Sequence, residues 1–343
     1  MQYTTLGNTG LVVSRFAFGA MTFGQGELVA GVQNTIDQDE AHDMVAQALD
    51  AGVNFFDTAD AYRQGESEIM LGRALGARRH DVVIATKVGF RMSDNLIDTG
   101  LSSQHILASA EASLKRLGRD YIDLYLTHKP DPVTPMEETL RALDDLVRRG
   151  LVRYVGYSNL PAWQAARMLG RQEARNYARF VCGQMYYSLL GRDLEHEVVP
   201  FAQDAGVGLM VWSPLASGFL TGKYSRENPV PRGTRREKFA FPPVDVEKGY
   251  EVVDALRQIS ARLHASPAQL ALAWLLTRPF VSSVILGASR AAQLEENLRA
   301  VELTLTEEEI AQLDKLTAPS PIYPNYMIQA MAWDPRIRES LTL

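Results

Sequence analysis

The residues best suited to chemistry stand at the ends of short apolar runs. "NFFDTADAY" carries Asp57 at the end of such a run and Tyr62 five positions on, "DVVIATKVG" carries Lys87, and "IDLYLTHK" carries His128. A carboxylate, a phenol, an ammonium and an imidazole brought to one place can polarise a carbonyl. An ammonium stabilises a phenolate, lowering a tyrosine pKa that is ordinarily about 10, so Tyr62 is expected to give or take a proton near neutral pH. Asp57 would hold Lys87 charged and oriented, and His128 would hydrogen-bond the carbonyl oxygen. Charges at the ends of apolar strands are costly unless paired or used. Further runs end in Ser158-Asn159 and Trp212-Ser213-Pro214, and another holds Gln184. A polarised carbonyl also needs a hydride donor on its other face.

The elements that must position these residues follow from periodicity. Eight apolar runs read as strands: "SRFAFGAM", "NFFDTAD", "DVVIATKVG", "IDLYLTHK", "RYVGYSN", "FVCGQMYYS", "VGLMVWSPL" and "SSVILGAS". Between them, apolar residues recur every three or four positions over 39–51, 66–76, 103–117, 137–149, 161–170, 193–205, 250–276 (split near Ser266-Pro267) and 290–299, which predicts helices. Alternation of this kind implies parallel pairing, and eight units close into a (β/α)8 TIM barrel of α/β class, here expected to be one domain over 1–343. Strand ends then converge on one mouth. "YTTLGNTGLVVS" reads as a hairpin plugging one barrel end. The long connections 22–38, 90–103 and 216–249 follow strands and would ring the mouth; "NPVPRGTRREKFAFPP" in the last is too polar and proline-rich for an element. Thr306 and Glu309 fit a capping box opening a helix over 306–318. The segment 319–343, rich in aromatics and proline, is expected as a tail laid over the mouth, where it forms part of the substrate pocket.

Lys and Arg number 35 against 41 Asp and Glu, a net charge of −6 without a long block of either sign, which argues against nucleic acid and anionic membrane as partners. No apolar run is long enough to span a bilayer, and "MQYTTLGNTG" has no basic stretch leading into an apolar one, so a cytoplasmic location is expected. Cys182 is the only cysteine, which excludes an intramolecular disulfide and a cysteine metal cluster; within "FVCGQMYYS" it reads as a buried hydrophobe. His42, His80, His105, His196 and His264 fall at no ligand spacing, and no metal is expected. "FGQGEL" lacks the G-x-G-x-x-G spacing, and "SGFLTGKYS" fails as a phosphate loop, with three residues between Gly218 and Gly222 and Tyr224 after Lys223. Gly287, Ala288, Ser289 and Arg290, directly before a helix, offer a different phosphate site, made of free N–H groups and a guanidinium.

"FDTADAYRQGESEIMLGRAL", "VVIATKVG", "YIDLYLTHKPDP", "VRYVGYSN", "CGQMYYSLL", "VWSPLASGFLTGKY" and "VILGASRAAQLEENL" together resemble the aldo-keto reductase family, in order from the hairpin to about Leu316. The resemblance implies NADPH or NADP+ extended across the barrel mouth and a tetrad of Asp57, Tyr62, Lys87 and His128, with Tyr62 the proton donor. It also implies that Ser158, Asn159 and Gln184 hold the nicotinamide carboxamide and that Trp212 stacks on the ring. Gly19, Ala20 and Met21 would line the cofactor cleft, and Ser213, Pro214, Leu215, Ser217, Lys223 and Arg235 would meet the pyrophosphate region. Gly287, Ser289, Arg290, Gln293, Glu296 and Asn297 would surround the adenosine and its 2′-phosphate. Gly287 departs from the basic residue that many single-chain members carry, with Arg290 in compensation, so NADH is the lesser alternative.

Taken alone, Asp57 reads as a turn-capping carboxylate and His128 as a structural histidine; in phase with Tyr62 and Lys87 at strand ends, both read as a site. Trp163, Trp274 and Trp333 are expected to pack. "KRLGRD" and "RREK" are expected to be solvated, Arg235 apart, and Glu66 to Glu68 simply to open a helix. The activity expected is interconversion of aldehydes or ketones and alcohols on a small-molecule substrate. The strand-eight segment is also similar to potassium-channel β subunits, whose resemblance implies a redox-sensing regulatory subunit instead. Phe23, Phe90, Tyr323 and Trp333 suggest a largely apolar pocket for a bulky substrate, while oligomeric state is not readable.

Overall fold

The computed structural model describes residues 1–29 and 32–330. Among them are strands β1 (Tyr3–Thr5), β2 (Val12–Ser14), β3 (Phe16–Gly19), β4 (Gly24–Val29), β5 (Val32–Ile36), β6 (Phe55–Asp57), β7 (Val83–Val88), β8 (Ile122–Thr127), β9 (Val152–Ser158), β10 (Phe180–Tyr186), β11 (Gly208–Trp212) and β12 (Val281–Leu286). Eight of these, β3 and β6 to β12, close into a parallel barrel in chain order, with β12 returning to β3. The helices are α1 (Gln38–Asp50), α2 (Glu66–Leu75), α3 (Ser103–Leu117), α4 (Met136–Arg148), α5 (Ala162–Arg175), α6 (Val198–Ala205), α7 (Arg235–Lys238), α8 (Val246–Leu263), α9 (Pro267–Leu276), α10 (Ala291–Leu298), α11 (Glu307–Thr317) and α12 (Asn325–Ala330). The eight expected strands are all present and form the (β/α)8 barrel that their alternation with helices implies.

The barrel interior is apolar, filled by Ala17, Phe55, Ala85, Leu124, Leu126, Cys182, Met210 and Ile285, while outward residues of the strands pack under the helices. The antiparallel pair β1–β2 closes the amino-terminal end, where Leu6 is fully buried with the interior residues and Asn8 N–H donates to Gly206 O. Gly7 has φ +57°, and a Cβ there would stand 2.5 Å from Val181 O and 2.7 Å from Gly208 N. Gly7→Ala is therefore expected to destabilise the fold by about 2 kcal/mol or more, since both the left-handed backbone and the contact are unfavourable. A thermal midpoint equal to wild type would refute that reading of the plug.

Several boundaries differ from expectation for physical reasons. α5 runs through Gly170 to Arg175, because Ala165, Met168, Leu169 and Gln172 continue its buried face while nothing lies near the position of a Gly170 Cβ; it stops at Asn176, φ 53°. In place of 193–205, a 3₁₀ turn at Asp193–Glu195 precedes the shorter α6. The break between α8 and α9 falls at Ser266-Pro267: Ser266 and Gln269 form a capping box, and Pro267 occupies a first-turn position where its missing N–H costs nothing. The box at Thr306 and Glu309 is formed as expected. The connection 22–38 holds the hairpin β4–β5, and the proline-rich connection expected to be without elements contains the short helix α7.

Trp274 is fully buried, but Trp163 is 65% exposed and does not pack; Trp333 and the rest of 331–343 lie outside the described residues. The start of the expected tail is held where Asn325 Nδ2 donates to His196 O, beyond the carboxyl end of β10. Among the described residues no helix is long and apolar enough to cross a membrane, and no group of three or more His, Cys, Asp or Glu side chains could hold a metal.

Candidate active site

β6 and β7 deliver the core of the site. Asp57 ends β6, and the backbone stays registered with β7 beyond it, Thr58 N–H donating to Ala85 O and Asp60 N–H to Lys87 O. The chain then turns, with Arg63 and Gln64 both at φ 52°, and Arg63 ties the turn to β4 through Gln25 O and Gly26 O. Tyr62 is thereby brought back over the mouth. Lys87 is fully buried, and its Nζ lies 2.8 Å from Asp57 Oδ2, 2.6 Å from Thr58 O and 3.4 Å from Tyr62 Oη. The His128 ring sits edge-on to Tyr62 with centroids 5.6 Å apart, and edge-on to Phe90 at 4.7 Å. All four expected tetrad residues are thus adjacent.

The electrostatics differ from expectation in one respect. Burial pushes the Tyr62 phenol above its ordinary value, Asp57 adds to the rise, and Lys87 and Arg235 oppose it without overcoming it. The side chain is partly exposed, but its hydroxyl lies 3.4 Å from the fully buried Lys87 ammonium. The expected lowering by Lys87 is present, but desolvation of the phenolate is larger. For Lys87, burial lowers and Asp57 and Tyr62 raise, the net being upward. Asp57 is raised by burial against Lys87 and Gln184. Burial, then Lys87 and Lys129, hold the His128 imidazole well below its usual range, so it is neutral, with Nδ1 buried and unpartnered.

A second set of polar groups adjoins the tetrad. Ser158 Oγ donates to Gln184 O at 2.8 Å, Asn159 Nδ2 to Ser158 Oγ and His128 O at 3.0 Å each, and Trp212 Nε1 to Asn159 Oδ1 at 3.2 Å. Gln184 Nε2 donates to Asp57 Oδ1 at 2.7 Å. Asn159, Ser213, Ala216 and Ser217 all have positive φ, a local strain of the kind that collects at functional sites. Trp212 stacks with Phe241 at 5.9 Å and tilts against Tyr186 at 5.1 Å. Phe241 is held by Ser217 Oγ donating to its carbonyl, and Arg236 by Pro242 O, so "RREK" is only partly solvated. Phe241 was not foreseen, because a proline-rich loop carries no periodic signal.

Residues present fit a dinucleotide at several points. Arg235 is half-buried with Nε unpartnered, and α10 begins without a side-chain cap. Gly287, Ser289 and Arg290 are exposed before it, and the space where a Gly287 Cβ would stand is open. Gln293 Oε1 accepts from Ser289 N–H and Oγ, and Asn297 is buried. Gly19 ends β3 beside Asp57 of β6, Ala20 and Met21 follow in a 3₁₀ turn, and Ser213, Pro214, Leu215 and Ser217 turn away from β11. Lys223 and Glu296 are exposed on the surface.

Behind the tetrad lies a cluster that the sequence did not reveal. Glu68 is fully buried, accepting from Thr86 Oγ1 at 2.5 Å and pairing with Arg116 Nε at 2.6 Å. Asp60 is also fully buried; burial and then Glu68 push its carboxyl up to about 8, against Ala61 N–H, Arg116 and Lys87, and neither oxygen has a well-formed partner. Arg119 is buried and pairs with Asp123 at 3.1 Å. Glu68 therefore does more than open α2, and "KRLGRD" is not simply solvated. Partners 48 residues apart, as Glu68 and Arg116 are, leave no local spacing to read.

The model of the aldo/keto reductase family matches residues 15–318. A protein of Arabidopsis thaliana named "Probable voltage-gated potassium channel subunit beta" is 38% identical over 335 residues, covering 94% of this chain and 99% of its own. An "Uncharacterized oxidoreductase" of Bacillus subtilis is 38% identical over 329 residues, covering 92% and 96%. A "Versiconal hemiacetal acetate reductase" of Aspergillus parasiticus is 32% identical over 345 residues, covering 94% and 99%.

Proposed function

The chain belongs to the aldo/keto reductase family, and on that premise we propose that it interconverts aldehydes or ketones and alcohols with NADPH or NADP+, Tyr62 being the proton donor. The observation that carries this reading is the Tyr62 hydroxyl 3.4 Å from a Lys87 ammonium that Asp57 pairs at 2.8 Å. Tyr62 donates its proton to the carbonyl oxygen as that oxygen gains negative charge, and Lys87 stabilises the phenolate left behind. His128, neutral, orients the same oxygen by a hydrogen bond. Bound NADPH supplies the hydride to the carbonyl carbon. Ser158, Asn159, Gln184 and Trp212 would hold the nicotinamide, Gly19 to Met21, Ser213 to Leu215, Ser217, Lys223 and Arg235 the cleft and pyrophosphate, and Gly287, Ser289, Arg290, Gln293, Glu296 and Asn297 the adenosine end.

Because burial keeps the phenol protonated through neutral pH, carbonyl reduction is expected to be level there, falling on acidification as Asp57 takes a proton. Alcohol oxidation, which needs the phenolate, is expected to climb as pH rises. Turnover of a panel of aldehydes, ketones and alcohols with NADP(H) and NAD(H), run across pH, checks both; no nicotinamide-dependent turnover of any of them removes the enzymatic reading. Phe90, Trp212 and Phe241 around the mouth support bulky, largely apolar substrates. The relative named as a potassium-channel subunit supports a second reading, a redox-sensing regulatory subunit; firm NADPH binding with negligible turnover in the same panel would select it. The domain reading, one unit over 1–343 with the segment from 319 bordering the pocket, stands as part of this proposal.

A further inference from the structure

Asp57 has two carboxylate oxygens, and the tetrad uses one. Oδ2 pairs with Lys87 Nζ at 2.8 Å, while Oδ1 accepts from Gln184 Nε2 at 2.7 Å. Gln184 lies on β10, four strands from β6 around the closed barrel, so its side chain reaches Asp57 across the interior. Its backbone is fixed at the far side, Gln184 O accepting from Ser158 Oγ at 2.8 Å and from Asn159 N–H at 3.2 Å. All three side chains involved, Asp57, Lys87 and Gln184, are buried. A carboxylate only accepts, so the amide must present Nε2 to Asp57, leaving Oε1 and the second Nε2 proton for other contacts.

We infer that Gln184 is a positioning residue for the tetrad, holding Asp57 ionised and turned toward Lys87, in addition to any contact it makes with a nicotinamide. This rests on the oxidoreductase reading for its effect on turnover, though not for its effect on Asp57. The groups facing Asp57 are Lys87 from β7, Tyr62 from the turn after β6, and Gln184 and Cys182 from β10. The Cys182 thiol is pushed up by burial and, in smaller part, by Asp57, so it is neutral and offers no charge. Of these, Lys87 and Gln184 favour the ionised carboxyl, against a burial that outweighs them and raises its pKa. Loss of the Gln184 donor leaves Oδ1 buried without a partner, and protonation of Asp57 becomes easier.

Two variants test this in the full-length chain. Gln184→Met keeps the length and removes the donor; Gln184→Glu keeps the shape and makes donation depend on a proton. At saturating nicotinamide and carbonyl, the acid limb of the kcat profile of Gln184→Met should move to higher pH by about one to two units, the range a hydrogen bond to a buried charge spans. Asp57 has a folded pKa above its unfolded one, so keeping it ionised weakens the fold above the folded pKa, and that cost shrinks as pH falls below the folded pKa and is gone below the unfolded one. Gln184→Met should therefore melt below wild type at neutral pH, without added ligand, and the gap should close on acidification. Gln184→Glu should lose turnover at neutral pH and recover as acidification restores its donor. A pH-independent melting gap and an unmoved acid limb, with only nicotinamide affinity weakened, would reduce Gln184 to a cofactor contact and overturn the inference. If wild type shows no nicotinamide-dependent turnover while the melting gap still closes with acid, the oxidoreductase reading falls and the hold on Asp57 stands.

Discussion

Tyr62→Phe is expected to lower carbonyl reduction by about a thousandfold, within the range that positioned acid catalysis contributes, while nicotinamide affinity stays within about twofold of wild type because no interaction with the nicotinamide is assigned to the hydroxyl. Phenylalanine keeps the edge-on contact with His128, whose centroid lies 5.6 Å from that of Tyr62, and its ring can remain near Lys87 Nζ, 4.9 Å from the Tyr62 centroid. What it removes is the proton and the oxygen 3.4 Å from that ammonium. The fall should appear in kcat at saturating substrate, and the residual rate should lose the alkaline rise in alcohol oxidation. Single-turnover reduction beside quenching of Trp212 fluorescence separates chemistry from binding. A variant with near-wild-type kcat would move the acid role to another group, with His128 the first to examine, despite its neutral state.

The barrel was legible because its strands are apolar runs bounded by turn residues and its helices show a clear period. Phe55-Phe56-Asp57 and Leu124-Tyr125-Leu126-Thr127 are buried almost end to end, as strands covered on both faces must be. The adjacency of the four residues was legible because Asp57, Lys87 and His128 stand at the mouth end of such runs and Tyr62 follows in the turn after the first of them. Three things were not. The β4–β5 hairpin consists of "GQGELV" and "VQNTI", whose alternation is too weak to distinguish from a loop. Glu68 and Arg116 look like helix-surface charges until α2 and α3 pack together and enclose them. The direction of the Tyr62 shift depends on how deeply the hydroxyl is enclosed, and a sequence records which charges can meet but not how much water is left around them.

Lys87→Met is expected to abolish turnover at least as fully as Tyr62→Phe and, unlike it, to weaken the fold by about 3 to 5 kcal/mol at neutral pH, the usual cost of stranding one partner of a buried pair. Lys87 Nζ donates to Asp57, Thr58 O and Tyr62 from a fully buried position, and methionine supplies its length without its charge. Asp57, already raised by burial, then rises further, and the sign of the pH dependence follows. The extra destabilisation is present above the variant's folded Asp57 pKa and disappears as pH falls through it, so wild-type and variant urea midpoints should converge on acidification. Asp57→Asn combined with Lys87→Met should be more stable than Lys87→Met alone at neutral pH, since the second change removes the stranded charge rather than a second favourable contact. Equal or lower stability of the double variant would mean that Asp57 takes up a proton once Lys87 is gone, so that no charge is stranded in Lys87→Met at neutral pH and the ionised state of Asp57 depends on Lys87.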